Sequence, residues 1–185
     1  PNTRPNIQFN SQGICDGCES SHQKQKLIDW PSREVMFSKL IEETKRKNSN
    51  YDCIIPVSGG KDSTWQVIKA LEYNLNPLCV TWKTPARNAL GAANLENLIR
   101  LGVNHIDFTI NPYIEKKFTL KAFERFGIPL IPMHMAMYAI SLQIALNFKI
   151  PLIVWGENAA FEYGGGDEIA RGFQLSQSYL RKFGI

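Results

Sequence analysis

"IIPVSGGKDSTW", residues 54–65, decides the fold. A short apolar run meets two glycines. A lysine, an aspartate and two hydroxyl residues follow, and then the apolar spacing of a helix begins. A strand that ends in small, donor-rich residues and leads straight into a helix is a place for anions. The unpaired N–H groups of the first helical turn and the helix dipole both favour negative charge there. Gly59 and Gly60 let the backbone approach oxygen atoms closely and take φ values that other residues avoid. Ser58, Ser63 and Thr64 add hydroxyl donors, and Lys61 adds a positive charge. By composition and by place the loop is a phosphate cradle.

Working outward from the loop, strand-like and helix-like patterns alternate. "DCIIPV" (52–57) reads as a strand and "STWQVIKALEYN" (63–74) as a helix with Trp65, Ile68 and Leu71 on one side. "NPLCVTW" (76–82) is a strand. "ALGAANLENLIRLG" (89–102) is a helix with Ala92, Leu95, Leu98 and Ile99 inward, stopped at Gly102. "HIDFTI" (105–110) is a strand, and "IEKKFTLKAFERFG" (114–127) is a helix ending at Gly127. "MHMAMYAISLQIALNFK" (133–149) is apolar on nearly every side, which predicts a buried helix, and "IPLIVWGEN" (150–158) predicts another strand. Residues 164–184 begin as a glycine-rich loop and end helical. Continuously apolar strands between helices predict an α/β fold: a doubly wound, mostly parallel sheet covered on both faces.

Ahead of this lie two different stretches. "WPSREVMFSKLIEETKRKN" (30–48) predicts a helix capped by Ser32, with Val35, Met36, Leu40 and Ile41 on one face and basic residues at its end. Residues 1–30 carry Pro1, Pro5, Gly13 and Gly17 and read as irregular. The expected division is therefore an N-terminal segment, 1–30, and an α/β domain, 31–185.

The chain has 185 residues, 44% hydrophobic and 21% charged, with a net charge of +4, as for an ordinary globular domain. The mild basicity suits an anionic ligand such as a nucleotide and gives no case for nucleic acid. No run approaches the length of a membrane span, and "PNTRPNIQFN" has no signal-peptide core, so a cytoplasmic location with no membrane insertion is expected. The chain opens on Pro1 instead of Met, so it is read as a piece of a longer protein. Of the four cysteines, Cys53 and Cys79 sit in strands and read as small buried apolar residues. Cys15 and Cys18 form a C-x-x-C in a glycine-containing turn, half of a zinc knuckle, with His22 as a further possible ligand. A redox reading of the pair is disfavoured because no strand precedes it and no helical pattern follows Cys15 directly.

The cradle is of neither common type. A Walker A loop would need glycine where Ile55 stands and a hydroxyl where Asp62 stands, and G-x-G-x-x-G is absent. The string S-G-G-K-D-S after a strand resembles the PP-loop of the HUP-type ATP pyrophosphatases. That resemblance implies that the loop holds the outer phosphates of ATP as leaving pyrophosphate while a substrate oxygen attacks the α-phosphorus. It implies Lys61 and Asp62 in catalysis, with Asp62 contacting Mg²⁺; the alternative role for Asp62 is to cap the following helix. Ser58, Gly59, Gly60, Ser63 and Thr64 would bind the phosphates. Val80, Thr81 and Trp82, at the end of the second strand, would meet adenine, chiefly through the backbone.

A wider likeness runs through "PNTRPNIQFNSQGICDGC", "IDWPSR", "YDCIIPVSGGKDST", "LNPLCVTW", "NLENLIRLGVNHIDFTINP" and "IPLIVWGENAAFEYGGG". In order and content these resemble the N-acetyl sugar amidotransferase family of bacterial surface-polysaccharide synthesis. The resemblance implies conversion of the acetamido group of a nucleotide-linked sugar to an acetamidino group, through adenylylation by ATP and displacement of AMP by ammonia. Ammonia would come from a separate glutaminase subunit, since no glutaminase nucleophile is legible in the chain. Glu157 in "WGEN" is the further catalytic candidate, with capping as its alternative. Asn158, Glu162 and His134 are substrate candidates, with Tyr163 beside Glu162, and packing is the alternative for His134. The resemblance also implies a structural Zn²⁺ on four cysteines, of which Cys15 and Cys18 are the pair within this chain. His105 reads as a surface or packed residue. Two rivals share the loop: a tRNA sulfur-transferase, which needs an accessible sulfur-carrying cysteine, and a non-catalytic adenine-nucleotide-binding module.

Overall fold

A computed structural model describes residues 8–47 and 50–156 of the chain. The described residues fall into two compact units, 8–37 and 38–156.

In the first unit Phe9 and Cys15 form an antiparallel bridge around a tight turn. Asn10 closes that turn: its Oδ1 accepts from the N–H groups of Gln12 (2.9 Å) and Ile14 (3.0 Å). Gly13 lies at φ +75°, in the left-handed region where a Cβ is costly. Helix α1 (Asp16–Leu27) follows at once, with Cys15 as its N-cap. The expectation of an irregular segment is corrected here. Asp16 and Glu19 in the first turn favour the positive end of the helix dipole, and the breakers all lie before or at its start. The same finding removes one of the two grounds given against a redox C-x-x-C, since a helix follows Cys15; among the described residues no strand precedes it, only the Phe9–Cys15 bridge.

Helix α2 (Trp30–Arg46) starts two residues ahead of the expected cap. Asp29 takes that role: its Oδ1 accepts from the N–H of Ser32 at 3.1 Å, and its carbonyl accepts from Arg33. Ile41 and Thr44 are the buried positions, while Val35, Met36 and Leu40 are exposed.

The second unit carries strands β1 (Cys53–Pro56), β2 (Pro77–Trp82) and β3 (Asn104–Phe108), with helices α3 (Lys61–Glu72), α4 (Ala89–Ile99), α5 (Pro112–Phe126) and α6 (Ile131–Phe148). The strands are parallel in the order β1-β2-β3. On the free side of β1, Ile153 forms a parallel bridge with Ile54: Ile54 N–H donates to Leu152 O (2.8 Å) and Val154 N–H to Ile54 O (2.9 Å). The last predicted strand is thus present as one bridge among the described residues. Chain order across the sheet runs outward from β1 to β3 and then returns to β1's other edge. That reversal is a topological switch point, where open α/β sheets bind ligands beyond the carboxyl ends of the strands.

Right-handed crossovers put α3 and α4 on one face and α6 on the other. On the α6 face, Ile54, Leu78 and Val80 pack with Ala136, Ile140, Ile144, Ala145 and Ile150. Strand alternation sends Cys53, Ile55, Cys79 and Thr81 to the α3 face. There α3 buries Ser63, Val67 and Ala70, spaced i, i+4, i+7 as one helical stripe. The side carrying Trp65 and Ile68 faces outward, with Trp65 60% exposed, because the helix presents Ser63, Val67 and Ala70 to the strands. On α4, Leu95 and Leu98 are buried as expected, Ile99 is half-buried and Ala92 is exposed. Helix α6 is a second correction. Leu142, Leu146 and Phe148 are exposed, so only one of its apolar faces is buried. Gly127, at φ +69°, ends α5 in the left-handed cap anticipated for it.

Candidate functional site

The loop from Val57 to Gly60 leaves β1 at the switch point and feeds α3. Its path is set by small residues. Gly59 has φ +80°, and a Cβ there would lie 2.7 Å from the backbone N of Leu95 and 2.9 Å from its Cα. Only glycine fits this approach to α4. Gly60 is the N-cap of α3 and offers no side-chain cap hydrogen bond. The first-turn N–H groups of α3 therefore lie behind a bare backbone cap, the arrangement that receives an oxyanion.

The hydroxyls hold the loop in shape. Ser63 Oγ donates to Gly60 O (3.1 Å) and accepts from Ser58 N–H (3.4 Å). Gly60 N–H donates to Ser58 Oγ (3.3 Å), and Thr64 Oγ1 donates to Gly60 O (2.9 Å). Lys61 Nζ lies 2.6 Å from Asp62 Oδ1, and both side chains stand in solvent. Asp62 is thus not the cap of α3; that alternative is set aside. An ion pair this exposed contributes little to stability, so both charges are available to a ligand.

At the end of β2, Val57 N–H donates to Val80 O (2.8 Å) and the buried Thr81 hydroxyl donates to Val57 O (2.7 Å). Trp82 packs on the α6 core, and its Nε1 is buried with no hydrogen-bond partner among the described residues. On the bridged segment, Trp155 packs on Tyr138, with ring centroids 4.7 Å apart. Gly156 lies so near α3 that a Cβ would be 2.8 Å from Gln66 Nε2. The segment carrying "WG" therefore reaches the same end of the sheet as the loop. Glu157, Asn158, Glu162 and Tyr163 lie outside the described residues. His134 is in the first turn of α6, exposed, and on the face opposite α3.

Two groups that the sequence reading did not place in the site support it. His105 Nε2 is 2.9 Å from Thr81 Oγ1. Burial lowers the pKa of this imidazole, Asp107 opposes that shift, and Arg87 adds to it. Arg87, in the connection before α4, holds Asp107 of β3 through two hydrogen bonds of 2.6 and 2.7 Å. This guanidinium keeps the Asp107 carboxyl below its ordinary range, against a smaller effect of burial. Neither group has a motif; only the strand register, which sets Thr81 beside Asp107 and Cys79 beside His105, brings them together.

The cysteines divide cleanly. Cys53 and Cys79 are buried, and burial pushes both thiols up to about 12. At Cys15, Sγ accepts from Cys18 N–H at 3.4 Å. Hydrogen bonds from Cys18 lower the pKa of Cys15, and the Cys15 sulfur raises that of Cys18. Among the described residues no group of three or more His, Cys, Asp or Glu side chains is placed to hold a metal ion. Cys15 and Cys18 would offer two zinc ligands, and among the described residues they are not joined by a third. For Mg²⁺ the fit is of another kind, since that ion commonly takes one or two carboxylates and completes its shell with phosphates and water; Asp62 is such a carboxylate. Among the described residues, no helix is long and apolar enough to cross a membrane.

No family model matches the chain. An uncharacterized protein of Methanocaldococcus jannaschii is 32% identical over 84 residues, which are 42% of this chain and 28% of that one. Among solved structures, NMN synthetase from Francisella tularensis is similar at a TM-score of 0.50 and 19% identity, over 76% of this chain and 56% of its own. A predicted subunit of a tRNA methyltransferase from Methanocaldococcus jannaschii gives a TM-score of 0.45 and 19% identity, over 70% and 60%. The chain thus spans 28% of the curated relative and 56–60% of the two solved chains. The likeness to the synthetase shows the fold: a parallel α/β sheet of the HUP type, with helices on both faces.

Proposed function

We propose that the chain is the nucleotide-activating part of an ATP-dependent, AMP-forming amidotransferase. Its acceptor would be the acetamido group of a nucleotide-linked sugar, and its product the acetamidino group. One observation supports this most: the S-G-G-K-D-S loop sits at the switch point of a HUP-type sheet, in front of a helix start with no side-chain cap. ATP would supply an adenylyl group that turns the acetyl oxygen into a leaving group. The residues of this chain would bind and orient. The N–H groups at the start of α3 and the Ser58 hydroxyl would hold the outer phosphates, in place before any charge develops on them. Ser63 and Thr64 would contribute by shaping the loop through the hydrogens they donate to Gly60 O. Lys61 would neutralise part of that charge, and Asp62 would hold Mg²⁺. Val80, Thr81 and Trp82 would border the adenine. Glu157 would orient the acceptor or ammonia, with Asn158, Glu162 and His134 as acceptor contacts. A separate glutaminase subunit would supply ammonia.

The sugar acceptor rests on the sequence resemblance. The fold is shared by enzymes of several activities, so the site alone does not select one. The burial of Cys53 and Cys79 removes the two cysteines of the sheet as sulfur carriers, because that chemistry needs an exposed thiolate. The test is mass spectrometry of UDP-diacetamido sugars incubated with ATP, Mg²⁺ and ammonium. The supporting result is replacement of one acetyl oxygen by an imino nitrogen, with AMP formed in equal amount. AMP formation only with a sulfur donor and tRNA would sink the proposal.

A further inference from the structure

On the reading of the loop as a nucleotide site, we propose that His105 is a positioning residue for that site. Its Nε2–H donates to Thr81 Oγ1, Thr81 donates to the carbonyl of Val57, and this two-bond chain fixes where the phosphate loop leaves the sheet.

One proton sets the direction of both bonds. A threonine hydroxyl has a single hydrogen and two lone pairs. Thr81 directs that hydrogen to Val57 O at 2.7 Å. The 2.9 Å contact with His105 Nε2 therefore requires the imidazole to be the donor. With the proton on Nδ1, two lone pairs would face each other at that distance. The hydrogen-bond network thus assigns the Nε2–H tautomer. The hydrogen-bond contact of this ring is with Thr81, while Asp107 accepts from Arg87 at 2.6 and 2.7 Å. Donation into Thr81 polarises its hydroxyl and strengthens the bond that hydroxyl makes. That bond ends on Val57, the residue directly before Ser58 and two before Gly59. Ser58 and Gly59 are held in turn by the Ser63 hydroxyl and by the close approach to Leu95. His105 touches the loop only through Thr81. Its effect should therefore appear in the loop's order and in nucleotide affinity, not in proton transfer.

The chain has three histidines, so long-range ¹H–¹⁵N NMR of the whole 185-residue chain resolves them, and the signal lost in His105→Gln identifies the ring. The expected form is Nε2–H. Hydrogen exchange at the amides of residues 58–60, without nucleotide, should speed up about tenfold in His105→Phe, which keeps a ring but no donor. The affinity for Mg·ATP should fall by a similar factor. His105→Gln offers an amide donor and should restore both to within about threefold. An Nδ1–H ring, or unchanged loop exchange in folded His105→Phe, overturns the proposal. Should the phenylalanine variant fail to fold, the tautomer in the unmodified chain and the glutamine variant decide. If the tautomer and exchange results hold but the unmodified chain does not bind Mg·ATP, the positioning is upheld and the nucleotide reading is overturned.

Discussion

A methyl group on Gly59 would stand 2.7 Å from the backbone nitrogen of Leu95. That contact joins the loop after β1 to α4 and explains why the second residue of S-G-G-K-D-S is glycine. The φ of +80° adds a second reason. Gly59→Ala is therefore expected to cost more than about 1 kcal/mol, since neither backbone can yield without moving an element. Denaturant unfolding measures this. A variant as stable as the parent would mean that the loop does not approach α4 so closely.

Lys61 and Asp62 should behave in the opposite way. Both side chains are largely exposed and pair mainly with each other. Lys61→Ala and Asp62→Asn are expected to leave stability within about 0.5 kcal/mol and to lower turnover by about 10²- to 10³-fold. Loss of activity only in step with loss of fold would remove them from the site.

The thiols offer a chemical check. Cys15 and Cys18 lie at the open start of α1, while Cys53 and Cys79 are buried with pKa values raised to about 12. Without metal, a thiol-specific disulfide reagent at mildly alkaline pH should modify two cysteines quickly and the other two only on unfolding. Rapid modification of Cys53 or Cys79 in the native chain would revive the sulfur-carrier reading.

Stability should depend on pH in two steps. The folded-state pKa of His105 is lowered below 6.5 by burial. Between that lowered value and 6.5 the unfolded chain binds more protons. Stability therefore falls as pH drops from 6.5 through the folded value, and then levels off. Asp107 is depressed below 3.8 by Arg87. Its contribution is present above 3.8 and is lost as pH falls through the folded value. His105→Gln should abolish the first step and keep the second. Unfolding free energies measured across the acid range check both, and an unchanged first step in His105→Gln would show that another group causes it.

What was legible in the sequence follows from what each signal encodes. The strand–loop–helix unit around Ser58 was legible because glycine, hydroxyl and lysine at a strand end answer a local need. The parallel sheet was legible because β1 and β2 are apolar without alternation and helices separate the strands, whereas β3 alternates polar and apolar residues. Helix faces were less legible. Trp65 looks like a core residue by type, yet α3 meets the sheet through Ser63, Val67 and Ala70. Helix α6 looks buried on all sides, yet Leu146 is 78% exposed. Composition gives the apolar content of a helix and not the number of neighbours that will cover it. Helix α1 was missed because residues 16–27 lack an apolar stripe and its cap is a cysteine sulfur. His105 and Arg87 were missed because their partners lie 24 and 20 residues away and meet only through strand register.

The most direct measurement is of the bond in ATP that breaks. ATP labelled at the γ-position would be incubated with the protein, Mg²⁺, ammonium and the sugar acceptor, and the labelled product separated. Labelled pyrophosphate with AMP is the expected result, and Gly59→Ala should not form it. Labelled orthophosphate with ADP would contradict the assignment of the loop after β1 as the holder of a departing pyrophosphate.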